Sequence, residues 1–254
     1  MNRHQQALAP THTELAGLGL QKDTKVVLIV GRCQTGGTLN GGIQGIQEGA
    51  ALYEFPDSPQ RLIVTSSDAN DTAGGIGVTG ILIQGLDPDY KDIVEFVTMD
   101  GLNPVLTTQT FIRVQAATSI NAGAAAVNIG NISLHMEITN ERIAFISAGL
   151  GQSVLGNYTV PADKRFLVRS VYVSAARNDE TELYYTQRNF GNTAFSSVPA
   201  GLMYESFGQI NDILLAIPAK ADFMLTMNPL VNNPNIVVSM VGTLYDFNEN
   251  STTI

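Results

Sequence analysis

The chain has 254 residues, 44% of them hydrophobic and 15% charged, which is enough for one large domain or two small ones with a real core. Fourteen basic residues are scattered among twenty-three acidic ones, and the net charge of −9 argues against a nucleic-acid partner. The single cysteine, Cys33, excludes an intramolecular disulfide, and the longest aliphatic run, residues 26–30, is far shorter than the ~20 residues of a membrane span.

The first predicted element is an apolar strand that runs into a glycine-rich stretch, VVLIVGRCQTGGT at 26–38. Residues 31–38 fit seven of the eight positions of the phosphate-loop template G-x-x-x-x-G-K-[ST], but Gly37 stands where the template has lysine. Gly41 and Gly42 would weaken the helix that should follow. We therefore expect no nucleotide binding, and we interpret the stretch as part of a glycine-rich N-terminal arm. Cys33 lies beside Arg32, but without a base nearby an inert thiol is the better interpretation.

From residue 62 onward, short β-branched runs alternate with turn signals every ~8–12 residues, as in sandwiches or barrels of antiparallel strands. The clearest strand is ISLHMEIT at 132–139. Its alternation predicts a buried face with Leu134, Met136 and Ile138 and a polar face with His135. Short helices are the best interpretation of only two segments, 43–53 and 202–214.

A second strand-rich block follows the glycine-rich passage at 147–157. Strict alternation in its first long strand predicts two faces, which are Leu167, Arg169, Val171, Val173 and Phe166, Val168, Ser170, Tyr172. Further strands are predicted at 181–188, 221–228 and 235–247. The whole pattern predicts an all-β fold of two antiparallel β-sandwich, jelly-roll-like units. We assign them to residues 56–146 and 147–254, after an N-terminal arm and first strand at 1–55.

Several clusters of polar residues are candidate sites. A calcium site is suggested by Asp68, Asn70, Asp71, Asp87, Asp89 and Asp92. An EF-hand loop that starts at Asp68 would need glycine at Ala73 and glutamate at Thr79, and Asp and Asn are also ordinary turn residues, so only an irregular calcium site stays open. His4 and His12 lie in the terminal segment, and a catalytic triad would have to use His135.

Glycosidase chemistry would need two carboxylates, for which Glu95, Glu137 and Glu182 are candidates in predicted strands. The chain has no tryptophan, and this weakens the case for a sugar site because sugar rings usually stack on aromatic side chains. We predict no catalytic, cofactor-binding or metal-binding residue and no enzymatic activity.

Residues 59–134 resemble a segment of virion structural proteins of tailed bacteriophages, especially marine and cyanobacterial ones. The shared pattern is S-S-x-x-x-D-T-x-x-G-x-G, then I-x-G-L-D, an acidic strand, an F-x-R-V strand and a glycine-rich stretch that ends N-x-G-x-I. The later stretch YTVPADKRFLVRSVYVS is similar to a Y-T-V-P-A-G-K strand start in the same kind of protein, with Asp163 in place of glycine.

The resemblance implies a non-enzymatic virion structural protein, made in the host cytoplasm, whose partners are capsid or tail subunits. A capsid decoration or cement protein on the head exterior is the first expectation, and a tail or neck component is the next. A carbohydrate-binding or carbohydrate-cleaving module at a tail tip is the alternative from another class. The low charge fits large subunit contacts, so we expect a trimer or higher homo-oligomer and an arm that becomes ordered only against a partner.

Overall fold

The computed structural model describes residues 24–33, 44–48, 53–175, 181–203, 208–230 and 235–246. These residues form sixteen β-strands and no helix, so the predicted all-β class is confirmed for this part of the chain. None of them therefore forms a helix able to cross a membrane. The strands are β1 (Thr24–Cys33), β2 (Gln44–Gly45), β3 (Leu62–Ser66), β4 (Val78–Leu86), β5 (Asp92–Thr98), β6 (Val105–Leu106), β7 (Arg113–Ala122), β8 (Ile132–Met136), β9 (Arg142–Ile146), β10 (Asn157–Thr159), β11 (Lys164–Ala175), β12 (Thr181–Arg188), β13 (Ser196–Met203), β14 (Gly208–Ile217), β15 (Asp222–Pro229) and β16 (Ile236–Asp246).

Antiparallel pairing joins these strands into four sheets. The first sheet has the order β1-β16-β11-β14. The second has the order β10-β15-β12-β13, and β2 also pairs with β15. The third is β6-β3-β8-β9 and the fourth is β5-β4-β7. Strands β3 to β9 supply the third and fourth sheets, while β1, β2 and β10 to β16 supply the first and second.

Two clusters of buried hydrophobic side chains lie between these sheets. The first and second sheets supply one cluster, in which Phe166 of β11 stacks on Phe223 of β15 with ring centroids 5.6 Å apart. The third and fourth sheets supply most of the other cluster, which includes Phe111 and Leu134. Strand β15 contributes to both, since Phe223 faces the first cluster and its neighbour Met224 reaches the second.

Strands β1 and β2 are built into the sheets formed by the later strands. Strand β1 pairs with β16 along its whole length, from Thr24 opposite Tyr245 to Cys33 opposite Ile236. Strand β2 pairs with β15. The expectation that the arm is ordered only by a partner subunit is therefore wrong for β1, because its hydrogen-bonding partner is a strand of the same chain.

Both predicted short helices are wrong in the described residues. The segment 43–53 contains strand β2, and the segment 202–214 contains the end of β13 and the start of β14. Residues 43, 49–52 and 204–207 lie outside the described part of the chain. A short helix gains little stability by itself, so strand pairing with the rest of the protein decides the conformation of such segments.

Strand β8 confirms most of the predicted alternation. Ile132, Leu134 and Met136 are buried, and His135 between them is partly exposed. Ile138, predicted on the buried face, is 80% exposed. The strand ends at Met136 and a turn follows, so the period of two residues no longer applies at residue 138.

Strand β11 departs from strict alternation. Phe166 and Val168 are buried as neighbours on one face, but a β-bulge between Val168 and Ser170 shifts the register with both adjacent strands. Beyond the bulge, Val171 and Val173 are buried in the same hydrophobic cluster as Phe166. The two predicted faces are therefore wrong after the bulge, because one extra residue moves every later side chain to the other side.

Candidate functional site

The residues that carry the resemblance to phage proteins meet around one buried carboxylate, that of Asp71. Its Oδ2 accepts hydrogen bonds from Oγ of Ser66 at 2.6 Å and from the backbone N of Gly130 at 2.8 Å. Its Oδ1 accepts from the backbone N of Val78 at 3.1 Å and of Ile129 at 2.9 Å. The donors come from the end of β3, the start of β4 and the loop before β8. One carboxylate thus holds together three segments that are distant in sequence.

Two glycines of the same pattern leave room for these contacts. A Cβ added at Gly77 would lie 2.1 Å from Oδ1 of Asp71, and one added at Gly130 would lie 2.5 Å from Oγ of Ser66. Both distances are too short for van der Waals contact, so any larger residue would push the network apart. The side chain of Asn128 extends the network by donating to the carbonyl of Gly130 at 2.7 Å. Packing and hydrogen bonding therefore explain these residues of the segment that resembles phage virion proteins.

Other carboxylates of the suggested calcium site shape turns. Oδ1 of Asp68 accepts from the backbone N and the side-chain Nδ2 of Asn70 at 2.8 and 2.9 Å. Oδ1 of Asp87 accepts from the backbone N of Asp89 at 2.8 Å and of Lys91 at 2.9 Å. Within the described ranges, no three acidic, histidine or cysteine side chains come together as metal ligands.

The first three residues of the phosphate-loop template belong to strand β1, and residues 34–38 lie outside the described part of the chain. A Cβ at Gly31 would lie 2.2 Å from the carbonyl O of Ile46, so close packing explains this glycine. Cys33 is buried in the first hydrophobic cluster. Arg32 donates to the Glu48 carboxylate at 2.8 Å. Burial raises the pKa of Glu48, but hydrogen bonds from Arg32 and a serine outweigh it, and the net pKa is lowered.

The three carboxylates considered for sugar hydrolysis belong to different sheets. Glu95 of β5 accepts from the backbone N of Thr108 at 2.7 Å. Glu137, which follows β8, pairs with Arg61 at 2.7 Å. Glu182 of β12 accepts from an asparagine and a tyrosine, and these hydrogen bonds lower its pKa. Each carboxylate is engaged with its own neighbours and not with another of the three.

The fourth sheet presents an uncharged surface, which we call the outer face. Its three cross-strand rows are Thr98–Gly80–Ile120, Phe96–Leu82–Thr118 and Val94–Gln84–Ala116. Phe96 is 46% exposed and Val94 is 53% exposed. Residues that alternate with them, such as Ile81 and Val97, point into the second hydrophobic cluster. Soluble proteins seldom leave a large apolar patch open unless something binds it, so the outer face is a candidate contact surface.

A groove of about 440 Å³ continues this surface as far as strand β1. Val94, Gln84 and Ala116 of the outer face line it together with Leu28 of β1, and Asp92 and Lys25 are its charged lining residues. Leu28 is 61% exposed. Strands β1 and β5 are both edge strands of their sheets, and edge strands with exposed apolar side chains readily contact other chains.

A buried group of charges joins the fourth sheet to the second. Arg113 of β7 donates Nε and Nη2 to the Asp222 carboxylate of β15 at 2.8 and 2.9 Å. Arg188 of β12 donates Nε and Nη2 to the same carboxylate at 3.1 and 2.7 Å, and Thr159 donates its hydroxyl at 2.6 Å. Burial lowers the pKa of Arg113, but hydrogen bonding to Asp222 outweighs it, so the net pKa is raised. Sequence reasoning missed this centre, although Arg113 is the arginine of the F-x-R-V pattern.

A cavity of about 230 Å³ opens beside this centre. Tyr90, Phe190 and Lys220 line it together with Arg188 and Asp222. The ammonium of Lys220 lies 4.8 Å from the ring centroid of Phe190 and 5.5 Å from that of Tyr90. Tyr90 and Lys220 both have a positive φ, 64° and 59°, in the left-handed region that large side chains seldom adopt. The two strained residues therefore meet at one cavity.

Comparison with known proteins gives no family for this chain. No family model matches the sequence, and no curated protein matches it. The chain is weakly similar to a solved structure of the infectious bursal disease virus Gx strain, with 10% identity over 90% of this chain and 72% of that chain and a TM-score of 0.25. A structure of the T13 particle of the same virus gives 11% identity over 88% and 73% of the two chains and a TM-score of 0.22. Both TM-scores lie below the level that marks a shared fold.

Proposed function

We propose that this chain is a non-enzymatic structural protein of a bacteriophage particle and that it decorates or cements the exterior of the head. The observation that carries the proposal is the uncharged outer face of the fourth sheet, in a chain whose net charge is −9. Contacts between acidic subunits are opposed by like charges, and a surface of threonine, aliphatic and aromatic residues avoids that repulsion. The sequence resemblance to virion proteins of tailed phages supplies the kind of particle.

The exterior is the favoured location because of charge. A protein inside the head would face densely packed DNA, and an acidic chain with scattered basic residues would be repelled there. A tail or neck component meets the same condition and is the next candidate.

The proposed occupant of the outer face is a second copy of this chain, so that the protein forms a trimer or larger ring that contacts capsid subunits. Phe96 and Val94 of one copy would pack into the groove beside Leu28 of the next copy, because a ring needs a head-to-tail contact between two different surfaces. An obligate interface of this kind buries more than ~2,000 Å² in total and stabilises the folded chain through association.

The two hydrophobic clusters support the proposal of two β-sandwich, jelly-roll-like units, since each cluster draws its side chains mainly from two sheets. The division at 1–55, 56–146 and 147–254 stays a prediction. In this division, β1 and β2 of the first segment would add to the sheets of the unit at 147–254, because their hydrogen-bonding partners are β16 and β15.

Analytical ultracentrifugation at micromolar concentration tests the proposed contact. We expect the natural chain to sediment as a trimer or larger species and Phe96→Glu to dissociate it, because the substitution places a charge in the outer face. Ile138→Glu is the matched control, since Ile138 is exposed on a turn outside the outer face. Circular dichroism checks that both variants keep the strand spectrum.

Mass spectrometry of washed virions tests the location. Hundreds of copies per particle would support the head, and about a dozen copies, in a multiple of three or six, would support the tail. A chain that sediments as a monomer and is absent from washed virions would overturn the structural proposal.

A further inference from the structure

We infer that the cavity beside the Arg113–Asp222–Arg188 centre binds a sugar unit that carries a carboxylate, such as a uronic acid. This inference does not rest on the proposed role in the particle, since a surface protein of any kind could carry such a site. It rests on the balance of charge in the cavity, on its aromatic wall and on its strained backbone.

The cavity has more positive than negative charge. Asp222 is a single carboxylate shared by Arg113 and Arg188. The other carboxylate that lines the cavity is that of Asp57, which is exposed and lies 4.0 Å from Nη1 of Arg188, so three cationic side chains face two carboxylates there. No carboxylate of the described residues lies within 4.0 Å of Nζ of Lys220. An anionic ligand would supply the missing partner.

Two donors in the cavity have no carboxylate of the described residues within hydrogen-bonding distance, and a ligand carboxylate could bind them. Nη1 of Arg188 lies beyond hydrogen-bonding distance of Asp57, and the ammonium of Lys220 is held by two aromatic rings, which is a weak interaction. Both groups line the cavity, and a guanidinium and an ammonium can each hold a carboxylate by charge-assisted hydrogen bonds. The chain as a whole carries −9 and repels anions, so any anion binding would have to come from a local site.

An exposed aromatic ring indicates that the ligand has an apolar face as well. Phe190 is 60% exposed and meets Tyr90 edge to face, with centroids 5.5 Å apart. Asn189 and Asn192 also line the cavity and offer amide donors and acceptors to hydroxyl groups. Aromatic walls with a few polar groups are typical of small-molecule sites, and about 230 Å³ is below the range for drug-sized ligands, which favours a single sugar unit.

The backbone around the cavity is held in a costly conformation. The backbone N of Tyr90 donates to the carbonyl of Asp87 at 2.9 Å, which closes the turn between β4 and β5. Tyr90 then adopts φ 64°, at a turn position that usually holds glycine. Strained residues of this sort cluster at functional sites, and here the strain places a tyrosine ring beside Lys220.

Isothermal titration calorimetry on the full chain tests the ligand class with glucuronate, glucose, acetate and inorganic phosphate as probes. We expect saturable binding of glucuronate. Glucose, which lacks the charge, and acetate, which lacks the ring, should each bind at least about tenfold more weakly. Acetate or phosphate binding as tightly as glucuronate would overturn the sugar assignment, and so would no glucuronate binding by the folded protein.

Variants locate the binding. Phe190→Ala and Lys220→Met should each weaken glucuronate at least about tenfold. Their matched controls are Leu102→Ala, at another exposed apolar side chain, and Lys25→Met, at an exposed lysine of β1. Phe190 is exposed, so its loss should leave the fold intact even where a change at strained Lys220 does not. Unchanged affinity in Phe190→Ala would overturn the inference, whereas ultracentrifugation of the same samples reports on the proposed assembly separately.

Discussion

Replacing Asp71 with alanine tests whether the pattern shared with phage proteins is a device for folding. The substitution removes four hydrogen bonds to a fully buried carboxylate. It leaves three backbone N–H groups and the hydroxyl of Ser66 without that acceptor. Each buried unsatisfied donor costs about 1–3 kcal/mol, but water can enter the space left by the side chain, so we expect a loss nearer about 4 kcal/mol. That is a large part of the ~5–15 kcal/mol that stabilises an ordinary domain.

Urea unfolding followed by circular dichroism measures this loss as a lower free energy of unfolding. Asp71→Asn should lose less, about 2–3 kcal/mol, because its amide keeps one acceptor oxygen while its NH₂ faces N–H donors. Asp89→Ala, on an exposed turn, is the control and should stay within about 0.5 kcal/mol of the natural chain. A loss below about 1 kcal/mol for Asp71→Ala would refute the view that this carboxylate holds the three segments together.

Three further predictions concern buried groups. Asp222→Ala should cost about 3–5 kcal/mol in urea unfolding, because it leaves the Arg113 guanidinium buried without its partner. Gly77→Ala should lower the melting temperature, because the new Cβ would lie 2.1 Å from the Asp71 carboxylate. Burial raises the pKa of Tyr53 to about 12 from 10.0, so the unfolded chain loses this proton first, and stability should fall as pH rises from about 10 to 12. Tyr53→Phe should lessen that alkaline loss.

Local patterns predicted much of the strand content. The alternation in β8 is visible because Ile132, Leu134 and Met136 are buried on one side and the strand is regular. The alternation in β11 misleads because the bulge after Val168 depends on the two neighbouring strands, β14 and β16. A single sequence shows the period of a strand but not the register of its partners.

Long-range contacts explain why the sites were harder to predict. Arg113 and Asp222 are 109 positions apart, and no local sequence pattern around either residue indicates that they pair. The acidic residues around Asp71 in the sequence suggest a calcium ligand. Its partners in the structure include the backbone N–H groups of Ile129 and Gly130. Nearly every residue has such a group, so the sequence does not show which of them will donate. Only the glycine spacing of the pattern hinted at such close packing.

The proposed assembly surface and the proposed sugar site share one hairpin. Tyr90 is in the turn between β4 and β5, and Val94 and Phe96 follow in β5. A ligand can shift assembly only if its affinity differs between free and assembled chains, and the effect must be reciprocal. The side chain of Asp87 accepts two backbone hydrogen bonds within the turn, and we expect these to hold the hairpin in one conformation.

We therefore expect no coupling between the two surfaces. Glucuronate should bind the assembled natural chain and a dissociated variant with the same affinity within about twofold, measured by calorimetry. Phe96→Glu and Phe96→Lys should be compared, because their opposite charges separate an electrostatic effect from an effect of dissociation. If both variants changed the affinity tenfold in the same direction, the turn at Tyr90 would have to move on assembly, and the rigid hairpin would be the part of this account to abandon.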